Sequence, residues 1–308
     1  MQLAIKTFLS CLLILLITLA NAQSIDENAL LKNLEYLSSD DLQGRKSGTE
    51  GNLKAREFLL EEFQKIGLET HYPDFQQTFT FKNRREKKTI EGVNIVGFVA
   101  GSSSRKLIVI TAHYDHVGIG NSNANGDSIY NGADDNASGT AALLELAKYF
   151  KKHRPAHPMI FAALDGEEMG LQGAKALVKD FPFPLEDIVL DINMDMISRN
   201  EKGELYASGT YYNPALKPIL EEAAKGSPIK LMFGHDEPNT GSDNWTEASD
   251  QGPFFNANVP HIYFGVEDHP DYHQPTDSFE NIEPKFYINS VKLILNCTIA
   301  LDRQLPKE

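Results

Sequence analysis

The sequence predicts an α/β fold, a three-layer αβα sandwich around a mixed, mostly parallel central sheet in a single domain. Three observations carry this prediction. Short apolar runs of strand length alternate along the chain with amphipathic helical patterns. Each of those runs opens into a loop rich in acidic residues or histidine. No internal repeat, low-complexity linker or compositional break divides the 308 residues, a length that suits one large domain. With 41% hydrophobic and 23% charged residues, the make-up is that of an ordinary globular protein with a core of adequate size. The formal net charge of -14 disfavours nucleic acid and anionic membrane surfaces as partners, and no basic run with interleaved aromatics appears.

The elements follow in order. Lys6, the apolar stretch Phe8 to Ala20 and the small-x-small Ala20-Asn21-Ala22 have the layout of a secretory signal peptide over residues 1–22, with the mature chain starting at Gln23. The stretch is short for a span, which needs about 20 apolar residues. The expectation is therefore cleavage, export to the periplasm or beyond, and no stable membrane anchor. Cys11 sits inside the apolar run, the wrong place for a lipid anchor. Cys297 is then the one cysteine left, and its apolar neighbours predict a buried structural thiol.

Residues 25–37 and 50–66 read as amphipathic helices, the second with Leu53, Phe58, Leu59, Phe63 and Ile66 at helical spacing and Gly67 as its stop. Residues 75–82 and 92–100 alternate like strands. Apolar runs at 106–112, 158–164, 187–194 and 261–265 predict buried strands, and helical patterns lie at 138–151, 170–179, 213–224 and 284–302. The longest irregular stretches are 119–131 and 233–258, and long loops in compact domains are often functional.

The chemistry is expected where these strands end. After 106–112 comes His113-Tyr114-Asp115-His116; after 158–164, Asp165-Gly166-Glu167-Glu168. The third run ends at Asp195, and the fourth leads to Glu267-Asp268-His269-Pro270-Asp271-Tyr272-His273. Asp134-Asp135 precedes the helix that opens at Ser138. Open α/β sheets bind ligands outside the carboxyl ends of their strands, so five clusters converge on one edge. One strand-terminal aspartate is ordinarily a turn or a helix cap; it is the conjunction that is informative. Imidazole with carboxylate suits zinc and its first-row neighbours, and a pair of metals about 3.5–4 Å apart, bridged by one carboxylate, would use all of these groups.

At AHYDHVG (112–118), GADDNASG (132–139), DGEEMGLQGA (165–174), NMDM (193–196) and YHQPTDSFENI (272–282), together with LSSDDLQGRKSGTEGN (37–52), the chain resembles the secreted bacterial dizinc aminopeptidases. Their relatives include glutamate carboxypeptidase, glutaminyl cyclase and the transferrin receptor ectodomain. The resemblance covers nearly all of residues 23–308, and implies that this span is a dizinc peptidase domain acting on peptides with a free N-terminus. It implies two Zn2+ per chain: His113 and Asp195 on one, Glu168 and His273 on the other, Asp135 bridging, with Asp134 shaping the loop. It implies a cis peptide at Asp135-Asn136. By the same resemblance, Asp115 orients His113, Glu167 is the general base, and Tyr272 matches a phenol that in some members hydrogen-bonds the oxyanion.

Bland expectations cover the rest. His153 and His157 are expected to be solvated and His71 and His261 structural; His116, His235 and His269 are placed near the cleft but not among the ligands. The Asn-x-Ser/Thr sequences at Asn136, Asn244 and Asn296 occur at ordinary pattern frequency, and GRKSGTEG (44–51) is assigned a structural role, since no nucleotide-loop context surrounds it. Thr240 to Phe255, with Trp245, Asp243, Ser249 and Asp250, reads equally as a specificity wall and as a packed surface loop. Family members often carry a histidine after the Ser-Asp pair, where this chain has Gln251. Competing functions are a single-zinc glutaminyl cyclase, a carboxypeptidase for acidic dipeptides served by Arg45 or Arg199, and a metal-free binding scaffold.

Overall fold

The apolar runs form strands buried on both faces, as strands in the middle of an α/β sheet must be. The computed structural model describes residues 25–83 and 87–308; the signal peptide expected over 1–22 lies outside them. Strands β1 (Gln76–Asn83), β2 (Lys88–Val99), β3 (Leu107–His113), β6 (Met159–Leu164), β7 (Ile188–Met194), β8 (Glu204–Ser208), β9 (Lys230–Phe233) and β10 (His261–Gly265) make one eight-stranded sheet in the order β1-β2-β6-β3-β7-β10-β8-β9. β4 (Gly118–Ile119) and β5 (Ile129–Tyr130) form a separate two-stranded ribbon within the first expected loop. Four of the seven pairings in the large sheet are parallel, so the mixed, mostly parallel sandwich expected of the sequence is the fold observed.

Alternation sorts each strand between two cores. Ile108, Ile110, Phe161, Ala163, Leu190 and Ile192 face one, under helices α1 (Glu27–Leu37), α2 (Glu50–Ile66), α3 (Gly139–Lys152), α5 (Lys217–Ala223) and α7 (Pro284–Gln304). Leu107, Val109, Ile160, Ala162 and Leu164 face the other, under α4 (Gln172–Lys179) and α6 (Gln251–Asn256). The bounds of α2 match the expected 50–66: the Thr49 side chain accepts the N–H of Asn52 at its start, and Gly67, at φ 77, closes it in the left-handed region.

The sheet is wider than expected. β8, β9 and α6 fall where the sequence reading placed irregular chain or nothing, and α5 is shorter than 213–224. Two histidines also need comment. His153 is exposed and stacked on Tyr149, as expected of a solvated ring. His157, in contrast, is fully buried, its Nδ1 within 3.0–3.1 Å of the carbonyl and carboxylate of Asp302 and its Nε2 2.9 Å from the carbonyl of Pro306. The approach to β6 is thus clamped to the end of α7. His71 packs between Phe98 and Phe183, and His261 is buried, which holds its imidazole down at about 4. Cys297 is buried in α7, where burial pushes its thiol up to about 12. Among the described residues no helix is long and apolar enough to cross a membrane.

Candidate metal centre

Register brings the strand ends level. His113 lies opposite Leu164 on β6, and Thr111 opposite Asn193 on β7. Just past Leu164, and two residues past Asn193, the chain has left the strand, so Asp165 to Glu168 and Asp195 gather beside His113. The fourth contribution comes from the turn over Ala133–Ser138 that leads into α3. Gly132, at φ 57, opens it, and a Cβ there would stand 2.1 Å from the Asp135 carbonyl, so only glycine fits. The Asp135-Asn136 peptide is cis, as the resemblance implies.

Two groups of ligand-type atoms result, joined through one residue. His113, Asp135 and Asp195 form the first, with Nε2 of His113 3.3 Å from Oδ1 of Asp135 and 3.3 Å from Oδ1 of Asp195. Asp135, Glu168, His273 and His116 form the second: Nε2 of His273 lies 3.1 Å from Oδ2 of Asp135 and 3.2 Å from Oε1 of Glu168. Asp135 therefore turns one oxygen to each group. The five residues expected as ligands come together, and a sixth, His116, joins them.

The donor set fits zinc on a point independent of any motif. Nε2 of His113, Oε1 of Glu168 and Oδ1 of Asp195 are buried and have no hydrogen-bond partner among the described residues. Buried polar atoms are normally paired, and these unpaired ones are the atoms that face inward. Mixed imidazole and carboxylate is zinc's ligand chemistry. Electrostatics agree. Burial alone would raise Asp135, but His116, His113 and His273 together hold it well below the carboxylate range; Glu168 is likewise kept down, at about 2, against its burial.

Outer residues fix these groups. The carboxylate of Asp277 accepts the backbone N–H of Asp134 (2.9 Å) and of Asp135 (3.0 Å), pinning the turn; nothing in the sequence pattern singles it out beyond its place in the YHQPTDSFENI motif. Asp134 points away from both groups, accepting from the N–H of Ser198 and facing Nε2 of His269 at 3.0 Å. The arrangement at Asp115 differs from the one expected. Nδ1 of His113 sits 3.1 Å from the backbone carbonyl of Asp115 and 3.7 Å from its carboxylate. That carboxylate instead accepts the N–H of Glu167 (3.0 Å) and lies 3.2 Å from the Ser47 hydroxyl oxygen. The main chain just past the strand turns its carbonyl under the ring, which frees the side chain to hold the Glu167 loop.

The GRKSGTEG segment supports the centre from beneath. Arg45 is fully buried and donates to the carbonyls of Tyr114, Leu37, Asn131 and Gly132, and Ser47 and Asn52 donate to Asp165. Arg199 pairs with Asp271 at 2.5 Å. Both guanidiniums that a carboxypeptidase pocket would need are thus committed elsewhere.

Glu167 lines a small cavity of about 90 Å³ with Asp135, Asp195, Trp245, Tyr263, Asp268 and Tyr272 among its walls. Burial foremost raises its pKa well above the usual range; His113 pulls it down, while Glu168, Asp250 and Asp195 push it further up. Tyr272 stacks on His273 at 4.0 Å, and burial, with the carboxylates around it, keeps its phenol protonated. Trp245 stacks face to face on His235 at 3.7 Å. Asp250, a candidate wall residue, proves buried with neither oxygen hydrogen-bonded among the described residues, and Gln251 donates to the carbonyl of Trp245 while accepting from Asn193. On the other side of the centre, past Glu168 and His273, a groove of about 970 Å³ opens, lined by Lys46, Lys82 and Lys175 among others.

The profile of Peptidase family M28 matches residues 94–298. A "Probable zinc metalloprotease" of Pyrenophora tritici-repentis is 28% identical over 80% of this chain and 64% of its own length. The chain spans less than two thirds of the first curated relatives it matches, 64% and 50%. Among solved structures, a Porphyromonas gingivalis glutaminyl cyclase (17% identical, TM-score 0.74, 91% of this chain and 99% of that one) shares the fold. So does the zinc aminopeptidase BSAP from Bacillus subtilis (17%, TM-score 0.70, 89% and 95%). With the profile running from β2 to α7 across every strand end that supplies the centre, the chain belongs to Peptidase family M28.

Proposed function

We propose that this protein is an aminopeptidase that uses two zinc ions, one held by His113, Asp135 and Asp195 and the other on the Glu168 and His273 side of Asp135. The observation that carries the reading is the sharing of Asp135 between two ligand groups, with Glu167 in the adjoining cavity. Zinc bound there supplies a Lewis acid for the scissile carbonyl and lowers the pKa of water. Glu167 takes the proton of the attacking water and returns it to the leaving amine. Asp115 keeps its loop in place through the Glu167 N–H. Tyr272, neutral and at the cavity wall, donates to the carbonyl oxygen as charge builds on it.

The small cavity accounts for an exopeptidase. It takes one side chain between Trp245, Tyr263 and Tyr272, and Asp268 offers a carboxylate to a terminal ammonium. The wide groove on the far side accepts the remainder of the peptide. Export of the protein, proposed from residues 1–22, would place this activity on extracytoplasmic peptides.

The test is hydrolysis of aminoacyl-nitroanilides with and without chelator, run beside zinc analysis of the same sample. Chelator-sensitive release with about two zinc per chain supports the reading. Cyclisation of N-terminal glutamine with one zinc per chain would replace it with a glutaminyl cyclase, and no turnover of either kind would favour a scaffold.

A further inference from the structure

Resting on that reading of the centre, we propose that His116 is a fourth protein ligand on the Glu168 side, which makes the two ion positions chemically unequal. Four ligand atoms arranged tetrahedrally around zinc at about 2.0–2.1 Å stand about 3.3 Å from one another. Nδ1 of His116 is 2.8 Å from Oε1 of Glu168 and 3.6 Å from Oδ2 of Asp135, and Nε2 of His273 is 3.2 and 3.1 Å from the same two atoms. All four separations scatter about the tetrahedral edge. In the first group, the two edges that meet at His113 are both 3.3 Å.

The second observation is orientation. His116 is fully buried, and neither ring nitrogen has a hydrogen-bond partner among the described residues despite the 2.8 Å approach to Glu168. Closeness without hydrogen-bond angles is what results when nitrogen and oxygen aim at a common point and not at each other. A buried imidazole left unpaired is costly, and a shared cation removes that cost on the Nδ1 side. The ring is also confined: a Cβ on Gly132 would meet it at 2.6 Å, and the ring of His273 stands edge-on at 5.6 Å between centroids.

The consequence is asymmetry. His113, Asp135 and Asp195 make a three-ligand position with room for water and substrate, the form of catalytic zinc sites; Asp135, Glu168, His273 and His116 make a closed four-ligand set, the form of structural ones. The Glu168 side fills first and releases its ion last.

Three measurements on the full chain test this. The His116→Cys variant loaded with Co2+ should show a thiolate-to-cobalt charge-transfer band that the wild type lacks. X-ray absorption at the zinc edge of the wild-type protein should count three imidazoles per two zinc ions rather than two, a readout that needs no variant to fold. Chelator competition should resolve two release steps in the wild type, and His116→Ala should weaken the tighter step more than tenfold while leaving the other within about twofold. Affinity alone would not decide, because losing an outer hydrogen-bond donor also costs 10–100-fold. A cobalt-loaded His116→Cys protein without the band, or a count of two imidazoles, overturns the proposal and leaves His116 as a donor to Glu168. A wild-type protein that binds no metal at all overturns the centre itself.

Discussion

The sheet has two regions of opposite character. At its middle, where β3, β6 and β7 end, the polar side chains are buried and held by named partners: Asp277 under the Asp135 turn, Asp115 under Glu167, Arg45 under the loops. At its outer flank, β9 pairs among the described residues only with β8, none of its residues is fully buried, and the 234–248 stretch beyond it presents Trp245, stacked on His235, to a cavity. On the proposed reading, the fold encloses the groups that do chemistry and leaves less buried those that would meet the substrate's side chain. Damage to the middle should therefore affect every substrate alike, and damage to the flank should reorder substrates.

The largest effect is expected at Glu167. Glu167→Gln should lower kcat by about 10²–10⁴-fold for all aminoacyl-nitroanilides by a common factor, with zinc content unchanged. A factor that varied with the substrate would place Glu167 in recognition instead. Next comes Asp277→Ala, which touches no ligand atom but removes the acceptor of two buried amides. It should destabilise the protein by about 2–5 kcal/mol in denaturant titration, and weaken metal binding by about 10–100-fold in chelator competition. A smaller change is expected on the flank. Trp245→Ala should shift kcat/KM by factors that differ between small and large terminal residues, on the order of 10-fold, without altering metal content or fold.

The smallest effect lies far from the centre, in the His157–Asp302 clamp. Burial opposes charge on His157, but the hydrogen bonds of Asp302 and the Pro306 carbonyl outweigh it, so its pKa is raised from 6.5; Asp302 is lowered from 3.8 by the same contacts against its own burial. The raised histidine stabilises the fold fully below 6.5 and loses that contribution as pH climbs through its folded value. The lowered aspartate contributes fully above 3.8 and loses it as pH falls. The stability advantage of wild type over His157→Gln should thus be widest between these two values and shrink above them, as pH-dependent unfolding would show.

The same contrast explains what the sequence disclosed. β3, β6 and β7 are legible because both faces are buried, so their runs are apolar throughout. Helix α2 is legible to the residue because Thr49 and Gly67 mark its ends. β8 and β9 are short and carry Glu204 and Lys230 at their starts, and α6 contains Gly252 and Pro253, so what holds them is tertiary contact rather than local pattern. The proposed ligand residues are legible as clusters past strand ends. His116 was not placed among them, since beyond His113 the chain leaves the strand and alternation no longer says which way a side chain points. His157 sits beside Pro158 in a polar stretch, and nothing local announces that Asp302, 145 residues away, buries it.

The central claim is that Asp135 is shared by two metal ions. Anomalous diffraction from crystals grown with zinc tests it most directly. The account predicts two peaks about 3.5–4 Å apart, one beside His113 and Asp195, the other beside Glu168 and His273, with one oxygen of Asp135 turned to each. A single peak, or peaks remote from Asp135, would contradict it.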